Sequence, residues 1–231
     1  MKENKYKKII AILYFISILI LCYCIKIRIT PNIYLKTDAR LFLLLIVCIL
    51  IYISGFILVK KLDYNKKILK INLVIYFLIY NVVIFTLTLF DEIYGRNGLI
   101  FVNWNRDLLK SYINYSFNIV PFKTIKLFTK GYFSGIVSFK NFSNNILGNL
   151  FAFMPYGIFL PLMFKKMKKY YIFLITMIII VVFIEVIQFL TMSGSCDIDD
   201  LILNIVGSSI VYFIVNIKII NKFIRKILLY E

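Results

Sequence analysis

The sequence predicts an all-α fold, a polytopic bundle of about six transmembrane helices with both termini in the cytoplasm. Sixty-one percent of the chain is apolar, against about 45–50% in soluble globular domains. Charged residues make up only 17%, yet the net charge is +17. The basic residues stand in short clusters between long apolar runs, which is typical of a membrane protein and not of a nucleic-acid-binding one.

Each predicted span is an apolar run long enough to cross about 30 Å of hydrocarbon, which takes roughly 20 helical residues. The first run follows a Lys-rich start, as a secretory signal peptide would. It is longer than the apolar region of such a peptide and no cleavage site of small residues follows it, so we expect it to be retained. The spans are predicted at 9–25, 41–59, 71–90, 146–164, 170–190 and 201–219.

The distribution of Lys and Arg predicts the orientation. Most of the 28 basic residues lie in four short stretches, the N-terminus, loops 60–70 and 165–169, and the tail from Lys218. Because short cytoplasmic loops are enriched in Lys and Arg, these stretches are assigned to the cytoplasm.

The long segment 91–145 then lies outside and separates three N-terminal transmembrane helices, in residues 1–90, from the rest. It mixes aromatic residues with Lys at loose helical spacing, as in Thr124–Phe139. Such a segment lies in the plane of the membrane interface, or else forms an irregular aromatic loop on the headgroups.

Polar residues within or next to the spans are the candidates for function, because hydrocarbon penalises them. A charge at the centre of a membrane helix costs about 2.5–3.5 kcal/mol. A helix rises about 1.5 Å per residue, so the number of residues from the outer end of a span gives a side chain's depth. By this measure, polar side chains of the last three predicted spans lie at a similar depth below the outer surface. The sequence therefore predicts a polar cavity that opens outward. Its residues are Asn145, Asn149, Glu185, Gln188, Asp197, Asp199, Asp200 and Asn204.

Structural roles are the alternative for each of these residues. Asp at a helix N-terminus is an ordinary cap, and Asn or Gly in a membrane helix often serves helix packing. Pro155 is expected to bend the fourth span and to leave the Phe151 carbonyl without its donor. Cys196 is alone on the outer side, so no disulfide is predicted.

The chain contains no His, which excludes Ser-His-Asp catalysis, His-ligated zinc and a His proton relay. No cofactor is predicted. If a metal binds, the oxygen-rich group Asp197, Asp199 and Asp200 would suit a hard cation such as Mg²⁺.

The order of polar motifs resembles the VanZ-like family over residues 114–215, a domain that would include the last three spans. The motifs are Asn118-Ile-Val-Pro121-Phe122, Asn145-x3-Asn149-x3-Phe153-x-Pro155-x-Gly157, Glu185-x2-Gln188 and Asp197-x-Asp199-Asp200-x3-Asn204-x2-Gly207. The resemblance implies a structural role for Asn118, Pro121, Phe122, Phe153, Pro155, Gly157 and Gly207.

Members of that family commonly carry an Arg shortly before the first Asp of the acidic block. Here the stretch reads Ser193-Gly194-Ser195-Cys196. If the Arg normally pairs with the buried Glu, then Glu185 must be protonated or paired with amides.

The resemblance implies a multi-pass protein of the bacterial cytoplasmic membrane, in a family whose founding member is associated with low-level teicoplanin resistance. One hypothesis is a protein that binds a lipid-linked cell-wall component or a lipoglycopeptide and so lowers drug susceptibility. The alternative is a metal-dependent membrane enzyme acting on a lipid-phosphate or isoprenoid substrate. A transporter subunit is the least favoured, because the six spans show no inverted repeat.

Overall fold

Six helices of membrane-spanning length and composition confirm the predicted all-α, multi-pass membrane fold. The computed structural model describes residues 2–29, 37–62, 67–89 and 102–227. The chain divides into two compact units, Met1–Val83 with Lys222–Glu231, and Ile84–Asn221.

The first unit contains α1 (Lys2–Ile29), α2 (Thr37–Lys61) and most of α3 (Lys67–Leu89). These helices bury Val47 and Ile51 and leave many large apolar side chains exposed, as lipid-facing helices do. The hydroxyl of Ser54, which is fully buried, donates to the Leu50 carbonyl of its own helix at 2.8 Å. A buried hydroxyl is thus satisfied without a partner from another helix.

The second unit, together with the helix that leaves it, holds all the remaining described elements. The helices are α4 (Arg106–Ser116), α5 (Lys123–Phe133), α6 (Phe139–Phe142), α7 (Gly148–Ala152), α8 (Tyr156–Met163), α9 (Tyr170–Thr191), α10 (Ile198–Asn216) and α11 (Lys218–Ile227). A π-helical turn (Ser143–Leu147), a 3₁₀ turn (Lys165–Lys168) and two short strands, β1 (Phe117–Asn118) and β2 (Cys196–Asp197), connect them.

The fourth predicted span, 146–164, is longer than expected and is not continuous. Its helical run begins at Phe139, passes through the π-helical turn and is interrupted by a turn at residues 153–155. Pro155 lies in that turn, as its missing N–H predicts. The expectation of a Phe151 carbonyl without a donor is wrong, because the Met154 N–H, three residues ahead, donates to it at 3.2 Å.

Two glycines allow the interrupted span to approach α10 closely. A Cβ at Gly207 would overlap the Leu150 carbonyl oxygen and lie 2.9 Å from its carbon. A Cβ at Gly157 would lie 2.7 Å from the Tyr212 nitrogen. Small residues of this kind let membrane helices pack backbone to backbone.

The last span also differs from its prediction of 201–219. α10 begins at Ile198, because the Asp197 side chain caps it, and ends at Asn216, because Ile217 adopts an extended ψ of 125°.

Within the predicted outer segment 91–145, residues 106–116 and 123–133 are helical and not an irregular loop. Residues 91–101 lie outside the described part of the chain. The predicted division at 1–90, 91–145 and 114–215, and the cytoplasmic location of both termini, stay predictions.

Candidate functional site

Two strands of two residues each join the segment after α4 to the start of α10. Phe117 pairs with Cys196 and Asn118 with Asp197, in parallel register. This pairing brings residues about eighty positions apart into contact, and it puts the acidic block beside the start of α5.

Asp197 is almost fully buried, and both of its carboxylate oxygens accept hydrogen bonds. Oδ1 accepts from Asn118 Nδ2 and from the Asp199 N–H, each at 2.8 Å. Oδ2 accepts from the Thr124 hydroxyl at 2.5 Å. Asp197 therefore caps α10 and at the same time binds the side chains that follow β1.

Asp199 is fully buried and serves as the N-terminal cap of another helix, α5. Its Oδ1 accepts from the Phe122 N–H at 2.5 Å, and its Oδ2 from the N–H groups of Thr124 at 2.7 Å and Ile125 at 3.0 Å. α5 has no side-chain cap of its own, and its N-cap residue Phe122 has a left-handed φ of 64°. A carboxylate at this place satisfies N–H groups at the helix start and interacts favourably with the helix dipole.

The other two acids of the predicted cavity are Glu185 in α9 and Asp200 in α10, and both are half-buried. Asn149 Nδ2 donates to Asp200 Oδ1. The Asp197 N–H donates to Glu185 Oε2 at 3.4 Å. We call Glu185, Asp197, Asp199 and Asp200 the carboxylate cluster, and Asn149 of α7 lies beside it.

The Cys196 thiol is affected by the negative charge of the carboxylate cluster. Its burial first, and then the negative charges of Glu185, Asp197 and Asp200, raise the pKa of Cys196 to about 11. Because burial and nearby negative charge both disfavour the thiolate, the Cys196 thiol stays protonated near neutral pH.

Asn204 lies one helical turn beyond Asp200 on α10. It is only 4% exposed, and its Oδ1 has no hydrogen-bond partner among the described residues. Side chains on a helix tilt toward its N-terminus, so Asn204 projects toward the turn that carries Asp200. A buried acceptor without a partner costs free energy, and it would be satisfied by a bound donor.

Two residues of the predicted cavity make hydrogen bonds elsewhere. Gln188 is buried, and its Nε2 donates to the Thr88 carbonyl of α3 at 2.9 Å. Asn145 Nδ2 donates to the Asn141 carbonyl one turn earlier at 2.8 Å. The structure brings Asn149, Glu185, Asp197, Asp199 and Asp200 together, whereas Gln188 and Asn145 bind neighbouring backbone.

Sequence reasoning missed an aromatic group beside the cluster. Trp104, the only tryptophan of the chain, stacks on Phe189 with ring centroids 4.9 Å apart, and Tyr112 meets both rings edge-on. The Tyr112 hydroxyl donates to the Gly194 carbonyl at 2.9 Å. Phe189 lies one turn after Glu185 on α9, so this group borders the carboxylate cluster.

Thr124 was also missed as a site residue, although it bonds to both Asp197 and Asp199. A hydroxyl residue at the start of a predicted helix is the signal that would have pointed to it. Its partners could not be inferred, because they lie more than seventy residues away.

Acceptor atoms dominate the chemistry of the cluster. The oxygens of Asp197 and Asp199 are engaged by N–H and O–H donors of the protein. Within the described ranges, no three Cys, Asp or Glu side chains are arranged to hold a metal ion. Glu185 accepts a backbone N–H, that of Asp197, as expected for a Glu that is paired with amides.

Residues 77–220 match the family model described as VanZ/LLP1, which covers more than half of the chain. The match begins within α3 and ends within α11, so it contains the whole carboxylate cluster. It extends further toward the N-terminus than the motif resemblance over 114–215. No curated protein and no solved structure matches the sequence.

Proposed function

Because the chain belongs to the VanZ/LLP1 family, we propose that it binds a lipid-linked cell-envelope component or a lipoglycopeptide such as teicoplanin. In this proposal it acts in the bacterial cytoplasmic membrane and lowers susceptibility to the drug without chemical conversion. Glu185 and Asp200 of the carboxylate cluster, with Asn149 and Asn204, form the binding site, because the oxygens of Asp197 and Asp199 already accept hydrogen bonds from the protein.

The observation that carries this proposal is the buried Asn204 Oδ1 without a described partner, one turn from Asp200. Together with the carboxylates of Glu185 and Asp200 it makes a site of hydrogen-bond acceptors. Such a site suits a ligand that presents donors, namely sugar hydroxyls, peptide N–H groups or an ammonium group. Glycosylated and peptide-bearing envelope molecules carry these groups.

The predicted orientation supports the proposal. With the Lys-rich loops in the cytoplasm, the loop between α9 and α10 faces outward. Lipoglycopeptides and the peptide ends of cell-wall precursors lie on that side of the membrane.

Drug susceptibility in a glycopeptide-sensitive bacterium that expresses the protein tests the proposal. We expect expression to raise the minimal inhibitory concentration of teicoplanin, and Glu185→Gln or Asp200→Asn to abolish the increase at unchanged membrane protein level. Asp107→Asn is the matched control, since Asp107 is an exposed acid in the first turn of α4. Unchanged susceptibility on expression would overturn the proposal, and lost protein in both cluster variants would indicate a structural role.

The alternative, a metal-dependent enzyme acting on a lipid-phosphate or isoprenoid substrate, has less support. Asp197 and Asp199 would have to release several hydrogen bonds to the protein before they could hold Mg²⁺. Turnover of a polyprenyl phosphate by the purified protein, dependent on divalent metal and lost in Asp200→Asn, would favour this alternative over binding.

A further inference from the structure

α11 separates its side chains into two faces. At about 100° per residue, Lys218, Lys222 and Lys226 fall on one face with Asn221 and Arg225, and Ile219, Ile220, Phe223 and Ile224 fall on the other. The helix contains no acidic residue. The charged residues of its polar face are therefore all basic.

The exposure of these side chains divides the helix further. Lys218, Lys222 and Lys226 are exposed, and next to them Ile219 and Phe223 are 81% and 61% exposed. On the far side, Ile220, Asn221, Ile224 and Arg225 are half-buried. One side of α11 is thus half-buried, while its exposed side combines a row of cations with an apolar row.

α11 also begins where the last span ends. The span closes at Asn216, Ile217 is extended, and Asn221 Nδ2 donates to the Val215 carbonyl at 3.1 Å. Asn221 thus holds the first turn of α11 to the end of α10. With ten residues, about 15 Å in length, α11 is too short to cross the hydrocarbon.

We propose that α11 lies in the plane of the membrane interface and binds the headgroups of anionic phospholipids. Ile219 and Phe223 enter the upper acyl chains, and Lys218, Lys222 and Lys226 contact the phosphate groups. A helix with one basic and one apolar face binds a membrane surface in two ways. Its apolar side chains are buried among the acyl chains, and its cations are attracted to anionic lipid. This position of α11 does not depend on the carboxylate cluster or its ligand.

Fluorescence quenching in vesicles tests the position of α11. The full-length protein carries Trp104→Phe and Phe223→Trp, so that residue 223 is the only fluorophore of its kind. Vesicles contain anionic phospholipid brominated either near the headgroup or near the end of the acyl chain. We expect strong quenching by the first lipid and weak quenching by the second. No quenching by either lipid would overturn the proposal, including the case in which a second copy of the chain covers Phe223.

The amount of anionic lipid that copurifies with the protein tests the role of the three exposed lysines of α11. Lys218, Lys222 and Lys226 are exposed, so their joint replacement by Gln leaves packed contacts intact. We expect about tenfold less phosphatidylglycerol to copurify with this variant. The matched control replaces Lys165, Lys166 and Lys168, three exposed lysines of the 3₁₀ turn, and retains the lipid. Equal loss in both variants, or loss in neither, would contradict specific binding by α11. The Lys→Arg version of the first variant is expected to restore retention.

Discussion

The Phe122 N–H donates to Asp199 Oδ1 at 2.5 Å, across 77 positions of the chain. The start of α5 is therefore stabilised by a side chain of α10 and not by its own sequence. Phe122 itself has a left-handed backbone, which an L-residue with a bulky side chain rarely adopts. The cap from Asp199 offsets part of that strain.

Replacing Asp199 by Ala should lower the stability of the protein markedly. Three backbone N–H groups lose their acceptor at a fully buried position, at a cost of about 3 kcal/mol or more. Thermal unfolding in detergent, followed by Trp104 fluorescence, measures the loss. Asp107→Ala in the first turn of α4 is the control, and equal melting temperatures for the two variants would contradict the capping role.

Thr124→Val should be destabilising and Thr124→Ser nearly neutral. The hydroxyl of Thr124 donates to Asp197 Oδ2 at 2.5 Å, and valine keeps the shape but leaves a buried carboxylate oxygen without that donor. We expect a loss of about 1–3 kcal/mol. The same melting experiment checks it, and a serine variant as unstable as the valine variant would show that the methyl group matters instead.

Gly207→Ala should reduce the amount of folded protein in the membrane. The added Cβ would overlap the Leu150 carbonyl, so α7 and α10 must separate, at a cost of roughly 1–3 kcal/mol or more. Gly148→Ala is the control, because its Cβ would meet only the Ser143 carbonyl at 3.6 Å. Size-exclusion profiles of fluorescently tagged protein compare the two, and equal yields would contradict close packing at Gly207.

Cys196 should react slowly with maleimide at pH 8, in a background with Cys22, Cys24 and Cys48 replaced by Ala. Its pKa of about 11 keeps the thiol protonated at this pH. Asp200→Asn removes one negative charge, so the pKa falls and alkylation speeds up, about tenfold for each unit of decrease. Rates measured from pH 7 to 10 should rise with pH in both proteins. An unchanged rate in Asp200→Asn would show that Asp200 does not act on the sulfur.

The orientation can be tested with an impermeant maleimide on intact cells. In a cysteine-free background, Ser195→Cys should be labelled, whereas Lys166→Cys should be labelled only after the cells are opened. Both positions are exposed. The opposite pattern would place the carboxylate cluster on the cytoplasmic side and remove a main support of the proposed function.

The length and hydrophobicity of the apolar runs were sufficient to predict the six spans, because crossing the bilayer imposes both on each helix separately. Pro155 likewise predicted a bend in the fourth span, and the helix is interrupted there. The roles of the acids could not be predicted in the same way. Asp199 accepts hydrogen bonds from backbone N–H groups, which every residue except proline has, so no residue type in the sequence points to these partners. The partners also lie in a distant segment of the chain. The aromatic contact of Trp104 with Phe189 depends in the same way on tertiary structure.

The cap that Asp199 provides for α5 also has a consequence for biosynthesis. Thr124 precedes Asp199 by 75 positions. The first turn of α5 is therefore synthesised before its cap, and it lacks that cap while two further spans are synthesised and inserted. Only then does its acceptor emerge. The helix α5 therefore acquires its final conformation late, after insertion of the last helix, and a chain interrupted before α10 would leave α5 without its cap and open to proteolysis.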